Sequence, residues 1–382
     1  MTIIDGEMMS EGLGLYIHVP FCLKKCLYCD FCSFPTYSNE MMDAYVKRLV
    51  SDIERYSKGF NGTVDTVYFG GGTPTLLKER HFDSILGAIY KNYAVNTSAE
   101  ISCECNPATV DEKYLKSIRN CGINRLSIGL QSANDNELCA LGRAHSFADF
   151  QKTYDDAREA GFDNLSVDLM YGIPEQTVAS FERTLAKVCE IAPEHVSAYA
   201  LKIEDGTPFG RIKETLSLPN EDDECDMYEL CTKTLSEYGY QKYEISNFAR
   251  SGFESRHNIK YWTGDDYLGF GVAAHSYFCG ERFSNSRDIE AYIAGADITE
   301  ERRVIPQKEQ MTEYVMLRMR MTAGVDALDF KARFGIDLED FCGSLDRYIS
   351  AKFIKRDGTR VSFTDKGIFV SNTILSDILD FD

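Results

Sequence analysis

The sequence has no excess of positive charge: 41 Lys and Arg stand against 60 Asp and Glu, giving a formal net charge of −19. A surface of that sign repels phosphate backbones and anionic membrane surfaces at long range, so we expect no nucleic-acid partner. Nowhere do 18 apolar residues run together, which excludes an apolar helix long enough to span a bilayer. The run 1–14, with Asp5, Glu7 and Glu11, lacks the basic start and apolar stretch of a secretory signal. We therefore expect a cytoplasmic protein. No internal repeat and no low-complexity tract interrupts the chain, and 44% hydrophobic with 26% charged residues suits a globular chain of one large domain and a smaller one.

What the sequence has in quantity is cysteine, 13 of 382 residues. In a reducing compartment these divide into buried small hydrophobes and a possible metal site, and spacing must decide between them. Apolar, β-branched runs recur at 15–19, 64–69, 99–103, 125–130, 164–170 and 195–201. Helical patterns lie between them at 41–56, 81–90, 112–121, 147–160 and 177–191. This alternation predicts an α/β fold with a parallel sheet, closing toward a barrel whose site lies at the strands' C-terminal ends.

The rhythm changes after about residue 205. An acidic helix is expected at 222–238, a strand at 243–246, and turn-rich, aromatic residues over 248–283. Helical patterns at 310–321, 329–334 and 338–351, followed by a strand pair within 353–369, give the order of a winged helix, a small α+β unit. Residues 305–382 carry 11 Lys and Arg against 13 Asp and Glu, the wrong balance for a DNA reader, so we expect a packing or lid role. The expected division is 1–245, 246–304 and 305–382.

Cys22, Cys26 and Cys29 lie in a loop directly after the first strand, spaced by four and three residues. Such a loop can wrap three thiolates around one cubane cluster, and Lys24 and Lys25 favour the thiolate form. A structural zinc site generally wants four protein ligands, and no second well-spaced Cys or His pair is nearby. Cys32 stays open as a fourth ligand, a reactive spare or a buried thiol.

Further polar residues stand at the ends of the following strands. Gly70, Gly71 and Gly72, before Thr73, let a ligand approach the backbone, although a tight turn explains them equally well. Glu104 ends the third strand, where a carboxylate suits ribose hydroxyls. Gln131 ends the fourth strand, Asp168 ends the fifth, and Ala200 lies near the end of the sixth. Arg143, in a loop, can pair with a ligand carboxylate. Singly, such groups commonly cap loops; together at one end of successive strands they form a ring. Tyr16, ahead of the cysteines, can stack on a ligand or pack in the core.

The Cys-x3-Cys-x2-Cys loop after a first strand resembles the signature of the radical S-adenosylmethionine (radical SAM) superfamily. The resemblance implies a partial (β/α)6 barrel carrying a C-terminal extension and the winged-helix-like unit. It implies a [4Fe-4S] cluster on Cys22, Cys26 and Cys29, and S-adenosylmethionine chelated to the open iron and cleaved to a 5'-deoxyadenosyl radical. Tyr16, Gly71, Gly72, Thr73, Glu104, Gln131, Arg143, Asp168 and Ala200 would line its site.

Residues 16–31, 70–75, 104–107, 129–132 and 168–174 together resemble the oxygen-independent coproporphyrinogen III oxidase-like branch of that superfamily. The oxidase itself typically has a further cysteine two residues after the third and a longer N-terminal extension. Here that position is Phe31, the nearest cysteine is Cys32, and 21 residues precede Cys22. Residues 243–249, 257–262 and 269–276 resemble instead the HemW-type heme chaperone subgroup, and the only tryptophan, Trp262, lies in the second of these.

The subgroup resemblance implies a heme or porphyrin ligand and transfer of heme to a membrane-bound acceptor. The alternative is radical decarboxylation of coproporphyrinogen III to protoporphyrinogen IX in porphyrin biosynthesis. His257 is the axial heme ligand this reading points to, since neutral imidazole suits iron and Tyr261 and Trp262 can flank a flat macrocycle. The other reading of the same residues has His257 and Asn258 bonding loop backbone while the aromatics pack. His18, His145 and His275 are further candidates.

Overall fold

A computed structural model of the chain describes residues 12–379 and the backbone of 2–4 and 7–9. Asp5 and Glu11 of the acidic N-terminal run lie outside the described residues. The six β-branched runs form β1 (Leu13–Val19), β2 (Thr63–Gly71), β3 (Ala94–Cys105), β4 (Arg125–Gln131), β5 (Leu165–Tyr171) and β6 (His195–Ala200). Each is parallel to the next.

Alternation sets their faces. Leu13, Leu15, Ile17 and Val19 of β1 are wholly buried, while Gly14, Tyr16 and His18 point the other way, into the interior of the curved sheet. The helices α1 (Asn39–Tyr56), α2 (Glu79–Asn92), α3 (Glu112–Cys121), α4 (Phe147–Glu159) and α5 (Val178–Ile191) cover the outer face. Met42, Tyr45, Val46, Leu49 and Ile53 of α1 recur at helical spacing and are buried, which supplies most of that helix's stability. Ser38 starts α1 by accepting a hydrogen bond from the Met41 N–H, and Ser146 and Asp149 close a capping box on α4.

After the acidic helix α6 (Glu221–Glu237) the structure departs from the expected strand at 243–246. Strands form on either side of it, β7 (Gln241–Lys242) and β8 (Asn247–Ala249), and β8 pairs antiparallel with β6. The segment between is held by a buried side chain: Glu244 accepts the Ser246 N–H and so competes with ladder pairing.

The aromatic stretch after 248 is also more regular than expected. It contains α7 (Arg256–Thr263), β9 (Tyr267–Phe270), β10 (His275–Phe278) and β11 (Glu281–Asn285), followed by β12 (Thr299–Val304). β9 runs parallel to β1, so the sheet gains a seventh parallel strand, and its twelve strands lie in the order β12-β11-β10-β9-β1-β2-β3-β4-β5-β6-β8-β7.

α7 lies against the N-terminal ends of β1 and β2. Glu100 receives the Arg256 and His257 N–H groups at 3.0 and 3.1 Å, Lys260 pairs with Asp65 at 2.9 Å, and Gly14 leaves no room for a Cβ beside Lys260.

The C-terminal residues form a small α+β unit with its own core around Val315, Val325, Phe330, Ile354, Val361 and Leu375. Its three strands, β13 (Val325–Asp326), β14 (Ile354–Asp357) and β15 (Arg360–Phe363), are antiparallel in the order β13-β15-β14. The helix expected at 338–351 is two short ones, Leu338–Cys342 and Asp346–Ser350, because Gly343 turns left-handed between them (φ +68). The expected strand pair stops at Phe363, where Thr364 caps a helical turn, Asp365–Phe369. Among the described residues no helix is long and apolar enough to cross a membrane.

Candidate functional site

The cysteine loop leaves β1 and is tied down at both ends. The Cys22 N–H donates to Phe34 O at 3.2 Å, Phe34 N–H to Pro20 O at 2.7 Å, and Leu27 N–H to Leu141 O at 3.1 Å. His18 holds the loop from below, its Nε2 bonded to Cys32 O at 2.8 Å. Cys22 is buried, and Cys26 and Cys29 are half-buried. Burial pushes the Cys29 thiol up to about 11. Among the described residues no group of three or more Cys, His, Asp or Glu side chains is arranged to hold a single metal ion.

A continuous polar chain joins two of these sulfurs to the strand ends. Thr73 Oγ1 donates to Cys22 Sγ at 3.6 Å and accepts from Asn106 Nδ2 at 2.7 Å. Arg143 Nη2 donates to Asn106 Oδ1 at 2.7 Å and to Gly129 O at 2.9 Å, while its Nη1 reaches Cys26 Sγ at 3.5 Å. Arg143 Nε is buried without a partner. Asn106 and Tyr28, whose phenol is raised by burial beside Arg143, belong to this cluster and escaped the sequence reading. The one local signal for Asn106 was its place directly after β3.

The glycine turn follows β2. Gly71 has φ +110, and a Cβ there would strike the His18 ring at 2.4 Å; a Cβ on Gly72 would lie 2.6 Å from Phe21 O and 2.8 Å from Val19 O. The turn is therefore zipped against the end of β1, with Gly72 N–H and Thr73 N–H donating to Val19 O and Phe21 O at 2.8 and 2.7 Å. Replacing Gly72 with alanine is expected to cost about 1–3 kcal/mol, because backbone rather than a flexible side chain must move. Denaturant unfolding of the variant checks this; an unchanged midpoint would mean the turn yields freely.

Glu104, at the end of β3, accepts the Gly71 N–H at 3.0 Å and the Tyr68 hydroxyl at 3.1 Å. Burial, then the neighbouring Asp168, pushes its carboxyl up to about 7. Asp168 is also raised by burial, against hydrogen bonds from Ser127 at 3.0 and 3.1 Å.

Gln131 has φ +70, and the β4–β5 register shifts beside it, a strained position at a site-facing strand end. The place of a Cβ on Gly129 lies 2.9 Å from Gln131 Nε2 and 3.2 Å from Arg143 Nη2, so the two side chains meet there. Tyr16 O–H donates to His18 Nδ1 at 3.1 Å, since the Nε2–H of the neutral ring is given to Cys32 O, and its ring stacks on Tyr68, ring centres 6.2 Å apart. Ala200 is exposed at the same end of the sheet.

The histidines separate sharply. His257 is wholly buried; its Nδ1 is bonded to Thr66 Oγ1 at 2.8 Å and its Nε2 to Tyr261 O–H at 2.9 Å, and burial lowers it to about 3. His145 is buried against Leu130 O, and His18 is buried between Tyr16 and Cys32 O. His275, at the start of β10, is exposed. Cys32 is buried among core residues, whereas Phe31 is 68% exposed.

Parallel strands that carry a three-cysteine loop and a glycine turn at one end define the radical SAM class. Residues 16–188 match the model of the Radical SAM superfamily, and residues 305–370 that of the HemN C-terminal domain. The heme chaperone HemW of Lactococcus lactis subsp. lactis (strain IL1403) is 32% identical over 97% of this chain and 98% of its own length. That of Bacillus subtilis (strain 168) is 34% identical over 95% and 98%. The coproporphyrinogen III oxidase HemN from Escherichia coli has the same fold, with TM-score 0.85 at 23% identity over 98% of this chain and 91% of that one. The chain belongs to the HemW family of radical SAM proteins.

Proposed function

We propose that this chain is a cytoplasmic heme chaperone that carries a [4Fe-4S] cluster and S-adenosylmethionine and passes heme to a membrane-bound acceptor, alongside porphyrin biosynthesis. The observation that carries this reading is similarity along nearly the whole of both chains to relatives that are themselves heme chaperones. Phe31 in place of the oxidase's additional cysteine supports it.

Residues 1–245 would hold the cluster and the cofactor, 246–304 would extend the sheet beside them, and 305–382 would pack as a lid. The donor set suits the cluster: Cys22, Cys26 and Cys29 would hold it, leaving one iron for S-adenosylmethionine. When bound and reduced, the cluster would supply the one electron that splits S-adenosylmethionine into methionine and a 5'-deoxyadenosyl radical. Thr73 and Arg143 donate hydrogen bonds to the Cys22 and Cys26 sulfurs. Arg143, its Nε unpartnered, would take the cofactor's carboxylate; Gly71, Gly72 and Thr73 would lie at its amino group. Glu104 would take its ribose, with Tyr16, Gln131, Asp168 and Ala200 completing the wall.

Hemin titration of the full chain, followed at the Soret band, tests heme handling and should saturate. A parallel anaerobic assay with coproporphyrinogen III should release no carbon dioxide. Absence of heme binding, together with decarboxylation, would replace the chaperone reading by the oxidase.

A further inference from the structure

We infer that heme is held at the rim of the sheet by His275, with Phe31 against the macrocycle and Arg287 on a propionate. The inference rests on the proposed heme handling and names the site that performs it. An axial ligand needs a ring nitrogen that iron can reach. Five of the six histidines, His18, His81, His145, His195 and His257, are buried and hydrogen-bonded. Freeing His257 would break its bonds to Thr66 and Tyr261 and open the packing of α7 on β1 and β2. His275 alone stands exposed, and among the described residues no side chain hydrogen-bonds its ring.

Its surroundings supply the remaining chemistry of a heme site. His275 begins β10 opposite Ser284, next to Gly269 of the adjoining strand β9. The Ala273 N–H donates to Ser286 O at 3.0 Å and the Asn285 N–H to Ala274 O at 2.9 Å, which brings Arg287 beside the start of β10. Arg287 is 66% exposed and pairs with Asp30 at 3.6 Å, a long surface pair that binds its guanidinium weakly. That leaves a planar cation available for a carboxylate.

Asp30 is next to Phe31, and the loop also carries Leu23, 62% exposed. Lys25 Nζ props the loop by donating to Phe31 O at 2.9 Å. His275 thus stands at the start of β10, Arg287 just beyond the strand paired with it, and the Asp30 that Arg287 meets directly precedes the exposed Phe31. Together they match the iron, a propionate and the apolar face of heme.

The test is hemin titration of the full chain as wild type, His275→Ala, His275→Met and Arg287→Glu, with the Soret band and the ferric spin state as readouts and circular dichroism as the folding control. His275→Ala should raise the dissociation constant at least about tenfold and change the spin state. His275→Met should restore affinity with a spectrum shifted to thioether ligation. Arg287→Glu should weaken binding by roughly threefold to tenfold with the spin state unchanged. An unchanged spectrum and affinity in His275→Ala overturns the ligand assignment, and unchanged affinity in Arg287→Glu overturns the propionate pairing. A wild type that binds no heme overturns instead the function on which the inference rests.

Discussion

Replacing Cys26 with alanine is expected to lower the iron of anaerobically reconstituted protein from about four per chain to below about one, with sulfide falling in parallel. Two thiols cannot hold a cubane that three held, and the structure offers no substitute nearby. Cys32 is the only other cysteine in the loop, but it is packed in the core with Phe21 and Tyr45, its carbonyl engaged by His18 and its thiol raised by burial. Cys32→Ala should therefore keep the full complement of iron, which makes it the paired control. The loss in Cys26→Ala should come without unfolding, because the loop is fixed by backbone bonds at Cys22, Leu27 and Phe34 that do not involve the Cys26 side chain. Iron retained in Cys26→Ala but lost in Cys32→Ala would reassign the ligands. One zinc and no sulfide in the wild type would remove the cluster altogether.

The features legible in the sequence are those that depend on neighbours along the chain. The six parallel strands and five outer helices follow from local periodicity, and the cysteine loop from spacing alone. What escaped depends on residues brought together from far apart. Asn106 links Thr73, 33 residues away, to Arg143, 37 residues away, and its place directly after β3 does not by itself mark it as a bridge. β9 is four residues long, contains a glycine and becomes a strand by pairing with β1. At His257, flanked by Tyr261 and Trp262, the sequence suggests a heme ligand, while the partners of its ring are set by the fold. Its Nδ1 partner, Thr66, lies on β2, 191 residues away. The exposure of His275 and Phe31 is likewise a tertiary fact, set by which face of the sheet and which side of the loop meets solvent.

Glu104→Gln should separate stability from cofactor binding, because the carboxylate is badly placed for the empty protein and well placed for a ribose. Buried beside Asp168, its carboxyl titrates at about 7 rather than at its ordinary value of 4.5. A group whose folded value is raised contributes stability that is fully present below the unfolded value and is lost as pH rises through the folded one. The ligand-free wild type should therefore lose thermal midpoint between pH 5 and pH 8. The Gln variant should show a flatter profile and be the more stable of the two at pH 8, since a neutral amide buries no charge there: its oxygen can accept from Gly71 N–H while its NH2 group donates to the Tyr68 hydroxyl oxygen. Binding should move the other way. An ionised acceptor on a hydroxyl is worth about 1.5–3 kcal/mol, so S-adenosylmethionine should bind the cluster-loaded variant roughly 10–100-fold more weakly. Thermal unfolding of the ligand-free protein across this pH range, set beside calorimetric titration of the reconstituted protein, reads both effects. Equal destabilisation at every pH would assign Glu104 to simple packing. Unchanged affinity would take the ribose away from it and leave Asp168 as the carboxylate at that end of the sheet.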